Sequence, residues 1–227
     1  MVFFIEGNIG AGKSTLLKKL EECNANINVI YEPVDSWMNM KAPGSSESLF
    51  ELYYKDKARY GFMFQMVALQ SRIAHIIRVT EEATKVNENT IIVCERSFLT
   101  DHEIFAKMLH NQKIMSDEEY YVYKMWYDFF IELLKPIVHG IIYLRTSPET
   151  CYKRMQQRNR HGEEGVKLEY LQELHEQHEN WLWQPQTQKY LENVFVVNGD
   201  VENLQITNRM LEFLQNSIPS SSSSVLF

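Results

Sequence analysis

Val2-Phe-Phe-Ile-Glu6-Gly7-Asn-Ile-Gly-Ala-Gly12-Lys13-Ser14 is the stretch on which the fold turns. A short apolar run leads into a glycine-rich turn, and Leu16, Leu17 and Leu20 follow at helical spacing. The turn fits the pattern G-x-x-x-x-G-K-[ST]. Its glycines let backbone N–H groups point inward at phosphate oxygens, and the helix that follows adds its positive end. In this setting Lys13 neutralises the β- and γ-phosphates of a nucleoside triphosphate, and the Ser14 hydroxyl holds Mg²⁺. The residues assigned to the triphosphate are Gly7, Asn8, Gly10, Ala11, Gly12, Lys13, Ser14 and Thr15. The motif does not say what receives the phosphate. No Asn-Lys-x-Asp guanine-reading motif is present, which argues against a GTPase switch.

Outward from that loop, strand-like and helix-like stretches alternate. Asn28–Tyr31, Ile91–Cys94, Ile141–Leu144 and Val194–Val197 read as further strands. Between them lie a helix over Lys57–Val79 and an aromatic-rich helix started by the capping box Ser116-Asp-Glu-Glu119 and stopped by Pro136. A helix capped by Thr146-Ser-Pro-Glu149 follows, then a mostly helical Leu168–Tyr190 that Pro185 kinks or ends, and a last helix over Leu204–Leu214. Lys41–Ser48 reads as a loop. Five apolar strands separated by helices make one α/β domain, residues 1–216, with a parallel sheet covered on both faces. The Ser-rich tail, residues 217–227, is expected to be disordered.

With 227 residues the chain can bury one sizeable core. A net charge of -7 leaves no broad basic face for duplex nucleic acid. No apolar run reaches membrane-spanning length. Cys23, Cys94 and Cys151 are far apart and lack metal-ligand spacing, so they read as buried free thiols of a reducing compartment. The first strand begins at residue 2 with no leader ahead of it, which reads as a cytoplasmic protein.

Several polar residues stand where α/β enzymes do chemistry. Glu95 follows the strand Ile91–Cys94, and Glu32 follows Asn28–Tyr31, each at a carboxyl end. Gln65 and Arg72 are two helical turns apart and share a face of an otherwise apolar stripe. Arg154, Arg158 and Arg160 form a basic cluster in an acidic chain, followed by His161-Gly-Glu-Glu-Gly165, which reads as a mobile lid over about residues 158–166.

Glu32-Pro-Val-Asp-Ser-Trp37, Phe64-Gln65, Glu95-Arg96-Ser97 and Thr146–Arg160, together with the glycine loop, resemble the deoxynucleoside kinase family in its deoxycytidine and deoxyguanosine kinase branch. The resemblance runs from Val2 to Leu214. It implies a P-loop kinase fold, a five-stranded parallel sheet flanked by helices with an arginine-rich lid, moving the γ-phosphate of ATP or another triphosphate to the 5′-hydroxyl of a deoxynucleoside. By resemblance Glu95 is the general base with a share in Mg²⁺ binding, Arg96 steadies the transferring charge, and Glu32 contacts the same hydroxyl. Gln65 reads the base edge. Arg72 pairs with Asp101, a combination that goes with deoxycytidine and purine deoxynucleosides, while thymidine-accepting members usually lack it. Phe64 and Phe105 stack on or line the base, with Val34 and Trp37 nearby. Phe50 and Tyr53 stand at pocket-shaping positions and are bulky. Tyr54 and Glu163 hold the 3′-hydroxyl. Arg154 and Arg160 contact phosphates, Arg158 stacks near the donor base, and Asn198-Gly199-Asp200 meets that base. The aromatic helix pairs across a homodimer.

Two other readings compete. A nucleoside monophosphate kinase needs arginines at its acceptor, where this chain has Glu32 and Glu95. A non-catalytic nucleotide-binding protein has no use for the set Glu32, Glu95, Arg96 and Arg154.

Overall fold

A computed structural model describes residues 1–217 apart from 25, 87–89, 135–137, 161–162, 185–192 and 202. Five strands form one all-parallel sheet in the order β2-β3-β1-β4-β5: β1 (Val2–Glu6), β2 (Ile27–Ile30), β3 (Ile91–Glu95), β4 (Val138–Arg145) and β5 (Val194–Asn198). Helices flank the sheet, so β1 and β3 are buried along their whole length, which is why they read as unbroken apolar runs. Phe4 sits in register with Cys94 on one side and Ile141 on the other. Each large side chain sealed here contributes about 1.5–3 kcal/mol.

The helices are α1 (Lys13–Cys23), α2 (Val34–Asn39), α3 (Leu49–Lys55) and α4 (Lys57–Val86). Next, α5 (Phe98–Thr100) runs through a π-helical turn (Asp101–Ala106) into α6 (Lys107–Asn111). After these come α7 (Asp117–Leu134), α8 (Pro148–Arg158), α9 (Leu168–His178) with a π-helical turn (Glu179–Trp183), and α10 (Asn203–Asn216). The chain builds out to β2, returns to β3, then crosses β1 to reach β4 and β5. The crevice at the carboxyl end of β1 is therefore a topological switch point, where α/β proteins bind ligands.

Several boundaries differ from the sequence reading. β2 lies one residue earlier, because pairing with β3 ends at Ile30 and leaves Tyr31 partly exposed. α4 continues seven residues past Val79, since no Gly or Pro interrupts it after its apolar spacing runs out. Pro148 occupies the first turn of α8, but Ser147 does not cap its backbone: the hydroxyl is engaged by Thr150 Oγ1 and Asp200 Oδ1. The helix begun at Leu168 leaves α geometry at Glu179 and ends at Trp183, with Gln184 already extended ahead of Pro185; residues 185–190 of that expectation lie outside the described residues. Of the tail, Ser217 still donates to the Phe213 carbonyl; residues 218–227 lie outside the described residues. Cys94 and Cys151 are buried thiols, whereas Cys23, on the outer end of α1, is exposed. Among the described residues no helix is long and apolar enough to cross a membrane.

Candidate active site

The glycine turn joins β1 to α1, and neighbouring backbone fixes its shape. Gly7 (φ 148°) and Gly10 (φ 77°) lie where only glycine is comfortable. A Cβ on Gly10 would stand 2.3 Å from the Cys151 carbonyl oxygen, so α8 presses directly on the loop. Lys13 is buried, its ammonium donating to the Gly7 and Asn8 carbonyls at 3.1 and 2.8 Å. Burial first and the Arg96 charge second pull it down to about 8, against the opposing influence of Glu95, Glu32 and Glu6. Ser14 Oγ donates to Glu95 Oε1 at 2.8 Å, which joins the loop to the end of β3. The Asn8 side chain ties the loop to α9: its amide donates to the Leu171 carbonyl at 2.7 Å, and its Oδ1 accepts from the Ile9 N–H of the loop at 2.8 Å. Thr15 is exposed at the start of α1.

The two carboxylates have different surroundings. Glu32 Oε1 accepts from Arg72 Nη2 at 3.0 Å and lies 3.4 Å from Arg96 Nε. Burial alone would raise Glu32, but Arg96, Arg72 and Lys13 outweigh it and hold the carboxyl well below its usual range. Glu95 has the Ser14 hydroxyl as partner. Arg72 is held in a fork by Asp101, Nε to Oδ2 at 3.0 Å and Nη2 to Oδ1 at 3.1 Å, where the π-helical turn begins. Arg96 has φ 63°, left-handed for a residue with a long side chain, which costs about 1–3 kcal/mol and marks a site where surrounding structure enforces the backbone.

A cleft with about 640 Å³ of empty space, open solvent included, gathers these groups. Glu32, Val34, Trp37, Tyr54, Phe64, Gln65, Arg72, Glu95, Arg96, Asp101, Phe105 and Glu163 all line it, and so do Gly10, Lys13, Arg158 and Arg160. Its far wall is an aromatic box. Tyr53 stacks on Phe64 with centroids 4.6 Å apart, Trp37 meets Phe64 edge-on at 5.4 Å, and Phe50 meets Tyr54 at 5.1 Å. Trp37 Nε1 donates to Ser71 Oγ, which fixes the indole. Phe105 lies 5.2 Å beneath the Arg96 guanidinium. Two buried polar atoms in this wall have no hydrogen-bond partner: Gln65 Oε1, on a side chain 2% exposed, and Arg96 Nη1, also on a residue 2% exposed. Such orphans are costly unless something else supplies the partner.

On the loop side, Arg154 donates to the Ala11 carbonyl at 2.9 Å and the Gly199 carbonyl at 3.0 Å, bridging the glycine turn and the turn after β5. Asp200 accepts from the backbone and hydroxyl of Ser147, so its carboxylate is spent on the start of α8; Asn198 Oδ1 accepts from the Asp200 N–H. α8 closes on Asn159 in left-handed conformation, which turns the chain toward Arg160. Arg158 and Arg160 both pair with buried Glu163, whose carboxylate is thus engaged by the lid arginines. Of the lid stretch, residues 161–162 lie outside the described residues.

Reading the sequence missed Ile9 as a lining residue, Ser71 as the support of Trp37, and Glu6 beneath the loop. Ser71 carried a signal: it stands one residue before Arg72 on the same helix. Glu6 carried none that set it apart from any strand-ending acid.

The sequence pattern of the family described as deoxynucleoside kinase matches residues 3–219. A probable deoxycytidine kinase of fowlpox virus (strain NVSL) is 37% identical over 212 residues, covering 93% of this chain and 84% of the viral one. Deoxycytidine kinase 2 of Gallus gallus is 33% identical over 227 residues, covering 91% and 86%. The mitochondrial deoxyguanosine kinase of Xenopus laevis is 32% identical over 201 residues, covering 84% and 76%.

Proposed function

Since this chain belongs to the deoxynucleoside kinase family, we propose that it transfers the γ-phosphate of ATP or another triphosphate to the 5′-hydroxyl of a deoxynucleoside held in the aromatic cleft. The observation that carries this reading is the Ser14–Glu95 hydrogen bond, which places a carboxylate between the phosphate loop and the cleft. Glu95, its carboxylate bonded to a neutral hydroxyl, accepts the proton of the sugar alcohol. Glu32, held ionised by Arg72 and Arg96, orients the hydroxyl. Lys13, Arg154, Arg158 and Arg160 carry the triphosphate charge, with Asn198–Asp200 at the donor base. Arg96 offers its free Nη1 to the transferring group. Tyr54 and Glu163 hold the sugar's 3′-hydroxyl. Such transfer depends on positioning and charge stabilisation.

Ser14 Oγ and the Glu95 carboxylate are hard oxygen donors lying together, which suits Mg²⁺. When bound, Mg²⁺ would offset the negative charge of the triphosphate.

Gln65, with its unpartnered Oε1, and the Arg72–Asp101 pair favour deoxycytidine or purine deoxynucleosides. A thymidine-accepting or broad-specificity enzyme is the second reading, supported by the purely aromatic contacts of the box, which do not discriminate bases. The measurement is kcat/KM for deoxycytidine, deoxyadenosine, deoxyguanosine and thymidine with Mg-ATP. Thymidine is expected last. Turnover of a nucleoside monophosphate, with none for the nucleosides, overturns the reading.

The enzyme is proposed to work in the cytoplasm in nucleotide salvage, residues 1–216 acting as one domain with a lid. Tyr121, Met125, Trp126, Phe129 and Leu133 form an exposed apolar stripe on α7, which supports a homodimer. Trp126→Glu is expected to yield a monomer by analytical ultracentrifugation.

A further inference from the structure

Glu6 is fully buried at the end of the central strand, one residue before the phosphate loop, and nothing in the phosphoryl transfer uses it. It contacts neither the cleft nor solvent. Both of its oxygens are spent on one short segment: Oε1 accepts from the Ser97 N–H at 2.8 Å and from Ser97 Oγ at 2.5 Å, and Oε2 accepts from Thr100 Oγ1. Ser97 Oγ in turn accepts from the Leu99 and Thr100 N–H groups, both at 3.2 Å, and so caps α5. The residue immediately before this clamp is Arg96, whose backbone is left-handed and whose N–H donates to the Ile5 carbonyl at 2.9 Å. Arg96 is thus gripped on both sides by the end of β1: by Ile5 through its own amide, and by Glu6 through the next residue.

We propose that Glu6 is a positioning residue: its buried carboxylate, bound to Ser97 and Thr100, enforces the left-handed backbone at Arg96 and so aims the guanidinium at the transferring phosphoryl group. A left-handed arginine returns to ordinary backbone unless the chain is anchored immediately beyond it. The only anchor that reaches Ser97 by both backbone and hydroxyl, among the described residues, is Glu6. Burial pushes the Glu6 carboxyl above its usual range, against the opposing pull of the Arg96 charge and of the Ser97 and Thr100 hydrogen bonds. One carboxylate therefore ties the strand that launches the phosphate loop to the segment that carries Glu95 and Arg96. Releasing it lets Arg96 swing, and Glu95, one residue further back, stays held by β3 and Ser14.

This rests on Arg96 acting in phosphoryl transfer, and the test separates the two ideas. Turnover of deoxynucleoside with Mg-ATP is measured for Glu6→Gln, Arg96→Ala and the double variant, each checked for folding by circular dichroism. Glu6→Gln is expected to lower kcat by about tenfold to a hundredfold while KM for both substrates moves less than about threefold. In the Arg96→Ala background the same change is expected to cost less than about twofold, because the group it positions is gone. Losses that multiply in the double variant, or a KM effect equal to the kcat effect, overturn the proposal. Arg96→Ala with full turnover instead removes Arg96 from the reaction. If Glu6→Gln fails to fold, Thr100→Val removes one donor to the same carboxylate; it is expected to lower kcat severalfold with KM unchanged, and wild-type kcat in a folded Thr100→Val overturns the idea equally.

Discussion

Gly7–Thr15 offers a triphosphate a surface made mostly of backbone, supplied by consecutive residues and shaped by glycines pressed against α8. The other side of the cleft is made of side chains. Trp37 comes from α2, Tyr53 from α3, Phe64, Gln65 and Arg72 from α4, and Asp101 and Phe105 from a π-helical turn. A backbone surface recognises what all triphosphates share and cannot be retuned one residue at a time. A side-chain surface gathered from four elements can be, so the choice of acceptor is separable from the handling of the donor.

That division is open to attack. Lys13→Ala is expected to cost turnover by about a thousandfold or more with any acceptor, because the charge it brings lies on the shared side. A loss that depended on the base would blur the two halves. Glu95→Gln stands at the seam: kcat is expected to fall about a hundred- to a thousandfold with KM nearly unmoved, and a change confined to KM would assign Glu95 to binding alone. Asp101→Asn tests the acceptor half. It strands part of the Arg72 fork, and kcat/KM for the nucleoside is expected to drop about tenfold to a hundredfold while KM for ATP holds. A thermal melt should show lowered stability as well.

The smallest effect concerns pH. In the free enzyme the Lys13 ammonium is pulled down to about 8 by burial. A group whose folded value lies below its unfolded one sheds its proton first in the folded state, so the free protein becomes relatively more stable as pH rises from about 8 toward the ordinary lysine value. Donor capture needs the charged form, so kcat/KM for ATP is expected to fall above pH 8, while kcat, measured with phosphates bound beside Lys13, falls at higher pH. Coincident profiles would show that Lys13 is not the titrating group.

The same contrast governs what the sequence revealed. Strand, glycine turn and helix are contiguous, so hydrophobic spacing and one motif were enough to place β1, the loop and α1. The sheet followed from its apolar runs, and its strand ends slipped by one to three residues because pairing with β3 and β1, not composition, ends β2 and extends β4 back to Val138. On the acceptor side Glu32, Glu95, Gln65 and Arg72 stood out by position, but the aromatic wall was reached only through resemblance, since nothing local says that Trp37 and Phe105 share a wall. α2 is a six-residue helix with no strong signal, whereas Ser48 and Glu51 form a capping box for α3 that spacing alone would have shown. Glu6 was illegible for a different reason: its partners, Ser97 and Thr100, are more than ninety positions away.

The π-helical turn at Asp101–Ala106 leaves a mark on how this stretch can evolve. A wide turn holds one more residue than an α turn, which offsets everything after it by about 100° around the axis. Asp101 can then face Arg72 while His102 lies against Tyr127 of α7 and Met108 and Leu109 still reach the interior. Removing a single residue here would restore ordinary helical phase and unseat one of those faces. The segment should therefore tolerate a change of length less well than an exchange at its half-buried Glu103.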